Sequence, residues 1–299
     1  MDPTSADRIE LPEGRSCANC GAALVGPWCH ACGQRVVRDD ERRFGALLRE
    51  FLGRLTSFEA KLPRSVLTLV FRPGRLGVEW IRGSRVRWTT PIGLFLVVNL
   101  LYFLNPPVTD FHLPLRDQLK SGGYGAWAQA RVEERAPGTR AWVEGSAPVP
   151  DGLAAFEDRY DGKSRALSKT LLVLHVPPFA LALLLLHRRR RLFYVDHLVH
   201  ALHFWTFLLL ALMAVPALSI AVNRGLLGAG WIERLDAGEA LWKLGLIALL
   251  VAYLVALVRR AYDEPWRLAL PKAALAFLAA ALIHFAYRAL LFEVTLRAV

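Results

Sequence analysis

The chain has 299 residues, 54% of them hydrophobic, and a formal net charge of +11 at pH 7. The apolar residues lie in long runs, and runs of about 18 or more are typical of membrane spans, which argues against a soluble globular protein. In a membrane protein a basic excess usually marks the cytoplasmic face, so the charge does not in itself point to nucleic acid.

The first part of the chain, residues 1–16, is predicted to be a disordered lead. Met1 to Arg15 is polar and contains no apolar stretch. We therefore expect no cleavable signal peptide, and the first membrane helix would act as an uncleaved anchor.

Residues 17–34 contain all four cysteines of the chain, in two pairs with two residues between partners and a glycine after each pair: Cys17, Cys20, Cys29 and Cys32. Four thiolates are the ligand set of a structural zinc site, so the spacing predicts a small zinc ribbon. A structural zinc that folds this short segment is favoured over zinc-dependent recognition, because a closed set leaves no position open for substrate. The need for reduced thiols places the N-terminus in the cytosol.

Residues 35–88 predict a charged linker followed by amphipathic surface helices. Over 44–71 the apolar residues follow the i, i+3, i+4 spacing of a helix that lies on a membrane or packs on other helices. Pro73-Gly74 then breaks the pattern. In the linker, acids interleave with the arginines and no aromatic stacking platform is present, so nucleic acid is not an expected partner.

Residues 89–299 predict a helical membrane domain with about five spans and an external loop at 107–166, read as a small, loosely folded cap. The predicted spans are 89–106, 167–187, 198–222, 238–258 and 270–292. Arginines gather before the first span, after the second and between the last two. The positive-inside rule then places the N-terminus in the cytoplasm and the C-terminus outside.

A polar cluster, Asp196, His197, His200 and His203, begins the third span. On a helix, Asp196, His200 and His203 share a face, and such a set can bind a transition metal. The alternative, which we favour, is a polar helix end whose histidines meet lipid headgroups or neighbouring helices, because one helix supplies an incomplete ligand set.

His175 and His284 lie at matching depths in the second and last spans, about 18 and 20 Å from the cytosolic ends at about 1.5 Å per residue. Ionisable groups in lipid are costly, so both should face the interior of the bundle. They could bind haem or metal or relay protons, but a hydrogen-bonded neutral pair is the favoured interpretation.

The order of these parts resembles an uncharacterised bacterial membrane-protein family, domain of unknown function 3667. The resemblance rests on CANCG…WCHACGQ joined to FRPGRLGVEWIRGSRVRWTTPIGLFLVVNLLYF, and on a second block, HVPPFALALLLLHRRRRLFYVDHLVHALHFWTF. It implies a bacterial inner-membrane location and no assigned activity. Trp205 stands where the resemblance implies a further histidine, which argues against a metal site in that block.

We therefore predict an all-α, multi-pass integral protein of the bacterial inner (plasma) membrane with a cytosolic ribbon held by structural Zn²⁺. Its expected function is a non-enzymatic anchor or scaffold whose ribbon docks a cytosolic protein, with the lipid bilayer and anionic headgroups at its arginine-rich face as further partners. The alternative is a small transporter or membrane enzyme in which His175, His200, His203 and His284 share one pocket or channel.

Overall fold

The computed structural model describes residues 16–36, 61–104, 106, 110–150, 152–225 and 238–299, and from 110, 215–225 and 238–242 the backbone alone. The predicted lead before residue 16, the linker after residue 36 and the amphipathic stretch over 44–60 lie outside the described residues. So does the connection at 226–237. Within the described ranges the fold is helical, and the extended pairing amounts to two isolated antiparallel bridges in the ribbon.

The helices are numbered α1 to α11 along the chain. They are Leu62–Phe71, Arg75–Ile81, Pro91–Leu104, Leu115–Leu119, Gly125–Glu133, Thr139–Val143, Leu153–Leu171, Val176–Leu186, Tyr194–Gly225, Gly238–Ala261 and Trp266–Ala298. A 3₁₀ turn at Leu172–His175 joins α7 to α8, and Pro177 and Pro178 follow in the first turn of α8, where proline is tolerated.

Among the residues that the structure describes, four segments are long and apolar enough to cross a membrane: Leu153–Leu186 (α7 and α8), Tyr194–Ala214 in α9, Lys243–Ala261 in α10 and Trp266–Ala298 (α11). They correspond to the second to fifth predicted spans. This confirms a helical protein with membrane-spanning character.

The first predicted span differs, because its helix α3 has only 14 residues. At about 1.5 Å per residue it is roughly 21 Å long, against a hydrocarbon core of about 30 Å. The predicted count of five spans is therefore not confirmed. The start of α3 agrees with the sequence: Pro91 occupies its first position, and the Thr90 hydroxyl accepts a hydrogen bond from the Gly93 amide at 3.1 Å.

The central helix of the bundle is α9. In the most apolar stretch of α9, 78% of the residues are buried, whereas the corresponding shares are 33% in α10 and 28% in α11. It packs against α8, α3 and α10, while α11 packs against α10, α7 and α8. The small residues Ala269, Ala273, Ala276 and Ala280 of α11 are buried against its neighbours, in keeping with close helix packing.

The segment expected to be a loose external cap is instead packed. Its helices α4, α5 and α6 form a second core with the start of α7 and the end of α11, centred on Tyr160 and Phe292. Leu115, Leu119 and Val132 of the segment are buried in this core. The prediction overlooked the core because Phe292, one of its two central aromatic residues, comes from α11, far away along the chain.

Candidate functional site

The four cysteine sulfurs lie together in the ribbon. Cys17 Sγ is 3.7 Å from Cys32 Sγ, and Cys20 Sγ is 3.5 Å from Cys29 Sγ. All four lie within 4.8 Å of one another, an arrangement that could hold a metal ion. Among the described residues, this is the only group of three or more Cys, His, Asp or Glu side chains with that property.

The two halves of the ribbon repeat one backbone geometry. The Gly21 amide donates to the Cys17 carbonyl, and the Gly33 amide donates to the Cys29 carbonyl, each at 2.8 Å. Gly21 and Gly33 have φ values of +80° and +70°, which side chains other than glycine adopt with strain. The glycine after each cysteine pair therefore closes the turn that aims both sulfurs at one point.

The surroundings of Cys32 favour its thiolate. A side-chain hydrogen bond from Asn19, followed by a backbone hydrogen bond from Gln34, lowers the pKa of the Cys32 thiol to about 6. At Cys20 the backbone hydrogen bond from Ala22 lowers the pKa of the thiol, but hydrogen bonds with Cys29 and Cys32 outweigh it and raise the pKa to about 12. The thiolate that coordinates a metal is thus favoured at Cys32 and disfavoured at Cys20.

The ribbon docks onto the segment between α2 and α3. The Gln34 side chain is buried, and its Oε1 accepts hydrogen bonds from the Val86 and Arg85 amides at 3.0 and 3.2 Å. The Ser84 hydroxyl donates to Asn19 Oδ1 at 3.2 Å. One face of the ribbon, next to the cysteines, is thus attached to the chain that enters the bundle.

The turn between α1 and α2 attaches the same region to α10. Arg260 Nη1 donates to the Pro73 carbonyl at 2.9 Å. Gly74 has a φ of +78°, and a Cβ atom there would lie 3.1 Å from the Leu257 carbonyl oxygen. Both its conformation and its close approach to α10 therefore favour glycine at this position.

One turn further on, α2 packs against the predicted histidine cluster. Gly77 is buried against the His200 ring, and a Cβ atom at residue 77 would lie 2.5 Å from His200 Cε1 and closer still to Nδ1. The missing side chain makes room for the imidazole. His200 is thus enclosed by α2 on the ribbon side of the bundle.

The predicted cluster gains two members, His187 and Tyr262, which lie just beyond the ends of α8 and α10. His197 Nδ1 lies 2.9 Å from the Tyr262 hydroxyl, and the Tyr262 ring stacks on His187 with centroids 3.6 Å apart. The centroid of the His200 ring lies 5.5 Å from the centroid of the Tyr262 ring. We call His187, His197, His200, His203 and Tyr262 the histidine group. Burial lowers the pKa of His187, which lies just beyond α8, to about 4, so this imidazole is neutral at pH 7.

Asp196 has a structural contact within its own helix. Its Oδ2 accepts a hydrogen bond from the Phe193 amide at 3.0 Å, which caps the first turn of α9. His200 Nε2, His203 Nε2 and His187 Nε2 are buried without hydrogen-bond partners among the described residues, but the four cysteines are the only group in those residues whose ligand atoms are placed to hold a metal ion. The structure therefore does not show a preformed metal site here.

His175 and His284 lie together inside the bundle. His175 Nε2 is 3.2 Å from His284 Nδ1, and His175 Nδ1 is 2.9 Å from the Leu172 carbonyl. Because a carbonyl only accepts, we assign the proton of His175 to Nδ1, and its Nε2 then accepts from His284. Phe111 and Trp205 pack against this pair.

The pair and the histidine group lie on different sides of α9. The pair contacts α9 through Trp205, with a centroid distance of 4.3 Å to His175. At about 100° per residue, Trp205 points about 140° away from His200 and about 160° away from His203. A single pocket containing His175, His200, His203 and His284, which the transporter or enzyme alternative requires, is therefore not present.

The part of the chain that joins the ribbon to the bundle is also the part that matches a family model. Residues 59–103 match DUF3667, a protein of unknown function. The resemblance is confirmed over this segment, while the second block, with His175 to Phe207, lies outside the matched residues. No curated protein and no solved structure matches the chain.

The DUF3667 segment contains α1, α2 and all but the last residue of α3. It thus includes the residues that bind Gln34 of the ribbon, the Pro73-Gly74 turn on α10 and Gly77 against His200. Gln34, Gly77 and Tyr262 were absent from the sequence prediction. For Tyr262, the one signal in the sequence was its position. It follows α10 directly, as His187 follows α8, and the predicted topology puts these two helix ends at the same end of the bundle.

An ion-pair network lies beside the histidine group. Lys272 Nζ is 2.6 Å from Glu264 Oε1, and Arg190 Nη2 is 3.7 Å from the same oxygen. Burial alone raises the pKa of the Glu264 carboxyl, but the hydrogen bond from Lys272 and the charges of Lys272 and Arg190 outweigh it and lower the pKa. Glu264 therefore remains ionised and links the loop after α8 to the start of α11.

Proposed function

We propose that this protein is a non-enzymatic membrane anchor that presents a zinc ribbon to a cytosolic protein partner. The observation that carries the proposal is the asymmetry of the ribbon. One face of the ribbon, with Asn19 and Gln34, is hydrogen-bonded to the DUF3667 segment. Elsewhere on the ribbon, a pair of exposed apolar side chains is available for a second protein.

This exposed pair consists of Val25 and Trp28, which are 84% and 59% exposed. The Arg35 guanidinium lies 6.0 Å from the centre of the Trp28 ring. Tryptophan and arginine are enriched among the residues that dominate binding at protein interfaces. Because the ribbon is held against the bundle, the pair is presented in a defined orientation, which lowers the entropic cost of binding.

Zinc is the metal that we propose for the ribbon. A tetrahedral site with Zn–S bonds of about 2.3 Å separates its sulfurs by about 3.8 Å. The sulfur pairs at 3.7 and 3.5 Å are close to this value. A closed set of four thiolates supports a structural role, in which the metal folds a segment too short to have its own core.

The bacterial inner membrane, with the ribbon in the cytoplasm and the C-terminus outside, is the proposed location. Exposed arginines support this location. They lie at the same end of the bundle as the turn between α1 and α2, and they are Arg188 to Arg191 after α8 and Arg259 and Arg260 at the end of α10. They would face anionic headgroups. Reporter fusions should be active in the cytoplasm at the N-terminus and outside at the C-terminus; the reverse pattern would refute this orientation.

The function is tested by affinity purification from membranes with variants of the exposed pair. The double substitution Val25→Ser and Trp28→Ala should lose the partner while retaining zinc and membrane insertion. A matched control, Ala18→Ser with Ala31→Ser, changes exposed positions of the same ribbon and should retain the partner. If Cys17→Ser with Cys20→Ser retains every partner, the ribbon does not dock proteins and the proposal is wrong.

A further inference from the structure

An apolar cleft lies between the end of α1 and the helices α9 and α10. Its volume is about 520 Å³, within the usual range of ligand sites, and its lining is almost entirely apolar. The lining includes Val70, Phe71, Phe207, Ala211, Leu249 and Tyr253.

The cleft has a buried floor and an exposed rim. Phe207, Ala211 and Tyr253 form the floor, and the rings of Phe207 and Tyr253 stack with centroids 3.7 Å apart and planes 12° from parallel. Phe71 and Leu249 at the rim are exposed. The floor is therefore a flat, mainly apolar surface that also contains the buried Tyr253 hydroxyl, and the cleft opens between helices that are apolar enough to face lipid.

Arginines gather at the end of the cleft near the turn between α1 and α2. Pro73 lines the cleft, and its carbonyl is hydrogen-bonded by Arg260 at 2.9 Å, which places this guanidinium beside the opening. Arg72, between the lining residues Phe71 and Pro73, is exposed, as is Arg260. Arg259, next in the chain, lies 3.9 Å from the centre of the exposed Trp266 ring, and such tryptophans are typical of the membrane interface.

An apolar cleft that ends in exposed guanidinium groups at the interface matches one kind of molecule. A phospholipid has a hydrocarbon chain for the cleft and a phosphate for the arginines, and basic sites between membrane helices are suited to anionic headgroups. We propose that this cleft is a binding site for one anionic phospholipid, with an acyl chain along Phe207 and Tyr253 and the headgroup phosphate at Arg72 and Arg260. This site is independent of the ribbon and of its proposed partner.

The purified full chain, stripped of lipid in detergent, should be titrated with phosphatidylglycerol and with phosphatidylcholine of the same acyl chains, and bound lipid counted by native mass spectrometry. We expect one phosphatidylglycerol to bind at least fivefold more tightly than phosphatidylcholine, since one cation near anionic lipid contributes about 1 kcal/mol. Glycerol phosphate in excess should not displace it, because it lacks the chain. Equal affinity for the two lipids, or displacement by glycerol phosphate, would overturn the proposal.

Two variants with matched controls locate the site. Arg72→Gln should weaken phosphatidylglycerol about fivefold, while Arg189→Gln, an exposed arginine on the loop after α8, should leave its affinity unchanged. Ala252→Phe fills the cleft and should weaken both lipids, whereas Ala281→Phe on the exposed face of α11 should weaken neither. Equal effects within either pair of substitutions would show that the lipid binds elsewhere. The surface substitution Arg72→Gln keeps the test decisive if Ala252→Phe does not fold.

Discussion

Gly77→Ala tests whether the DUF3667 segment is packed on the bundle through His200. The new Cβ atom would lie 2.5 Å from His200 Cε1, whereas carbon atoms in contact are about 3.5–4.0 Å apart, so the ring or α2 must move by about 1 Å. His200 is fully buried and cannot move into solvent. Overpacking of this kind costs about 1–3 kcal/mol, which lowers the thermal midpoint of the detergent-solubilised protein by roughly 2 °C or more.

Gly162→Ala is the matched control. Gly162 is exposed in the middle of α7, and a Cβ atom there would meet nothing within 4 Å, so alanine should stabilise the helix by up to about 1 kcal/mol. In a double-mutant cycle, His200→Ala should relieve part of the cost of Gly77→Ala, with a coupling energy of about 1 kcal/mol or more. If Gly77→Ala is as stable as Gly162→Ala, the packing of α2 described above is incorrect.

Further predictions concern the ribbon, the buried histidine pair and the ion-pair network. Gln34→Ala removes the acceptor of two amides, so hydrogen exchange at residues 85–86 should accelerate at least about tenfold while the cysteines still bind metal; unchanged exchange would contradict the docking. His284→Phe keeps an aromatic ring but leaves His175 Nε2 without a donor, so stability should fall by about 1–3 kcal/mol in thermal unfolding, and an unaltered midpoint would argue against the hydrogen bond. Because the pKa of Glu264 is lowered in the folded state, its carboxylate stabilises the fold above its unfolded pKa of about 4.3, and this contribution is lost as the pH falls through the lower folded value. The stability advantage over Glu264→Gln should therefore be full at pH 7 and shrink in acid, and a difference independent of pH would refute the ion pair.

The ribbon and the long helices could be predicted because their signals are local. Two cysteine pairs with following glycines define their own turns, and long apolar runs indicate spans without reference to the rest of the chain. The His175–His284 contact was also within reach, since depth along two spans can be counted from their ends. The limits of α3 and the helices of the cap were less accessible, because their lengths and packing depend on partners elsewhere in the chain.

The histidine group shows where sequence reasoning fails. Asp196, His200 and His203 share a helical face, but that pattern does not reveal that Asp196 caps its own helix, that Tyr262 lies between His187 and His197, or that Gly77 makes room for His200. The Asp196 cap is a local contact that competes with its expected role as a ligand. The Tyr262 and Gly77 contacts join α2 and α9 with the residues just beyond α8 and α10, so they follow from tertiary packing, and no spacing within one helix encodes them.

The most direct test of the central claim places a photoreactive amino acid at position 25 and irradiates living cells that produce the protein. We predict a covalent adduct with a discrete soluble protein. The adduct should disappear when Cys17 and Cys20 are both replaced by serine, and it should remain when Ala18 is replaced by serine. An adduct that survives loss of the cysteines, or crosslinking to lipid alone, would contradict the proposed docking function.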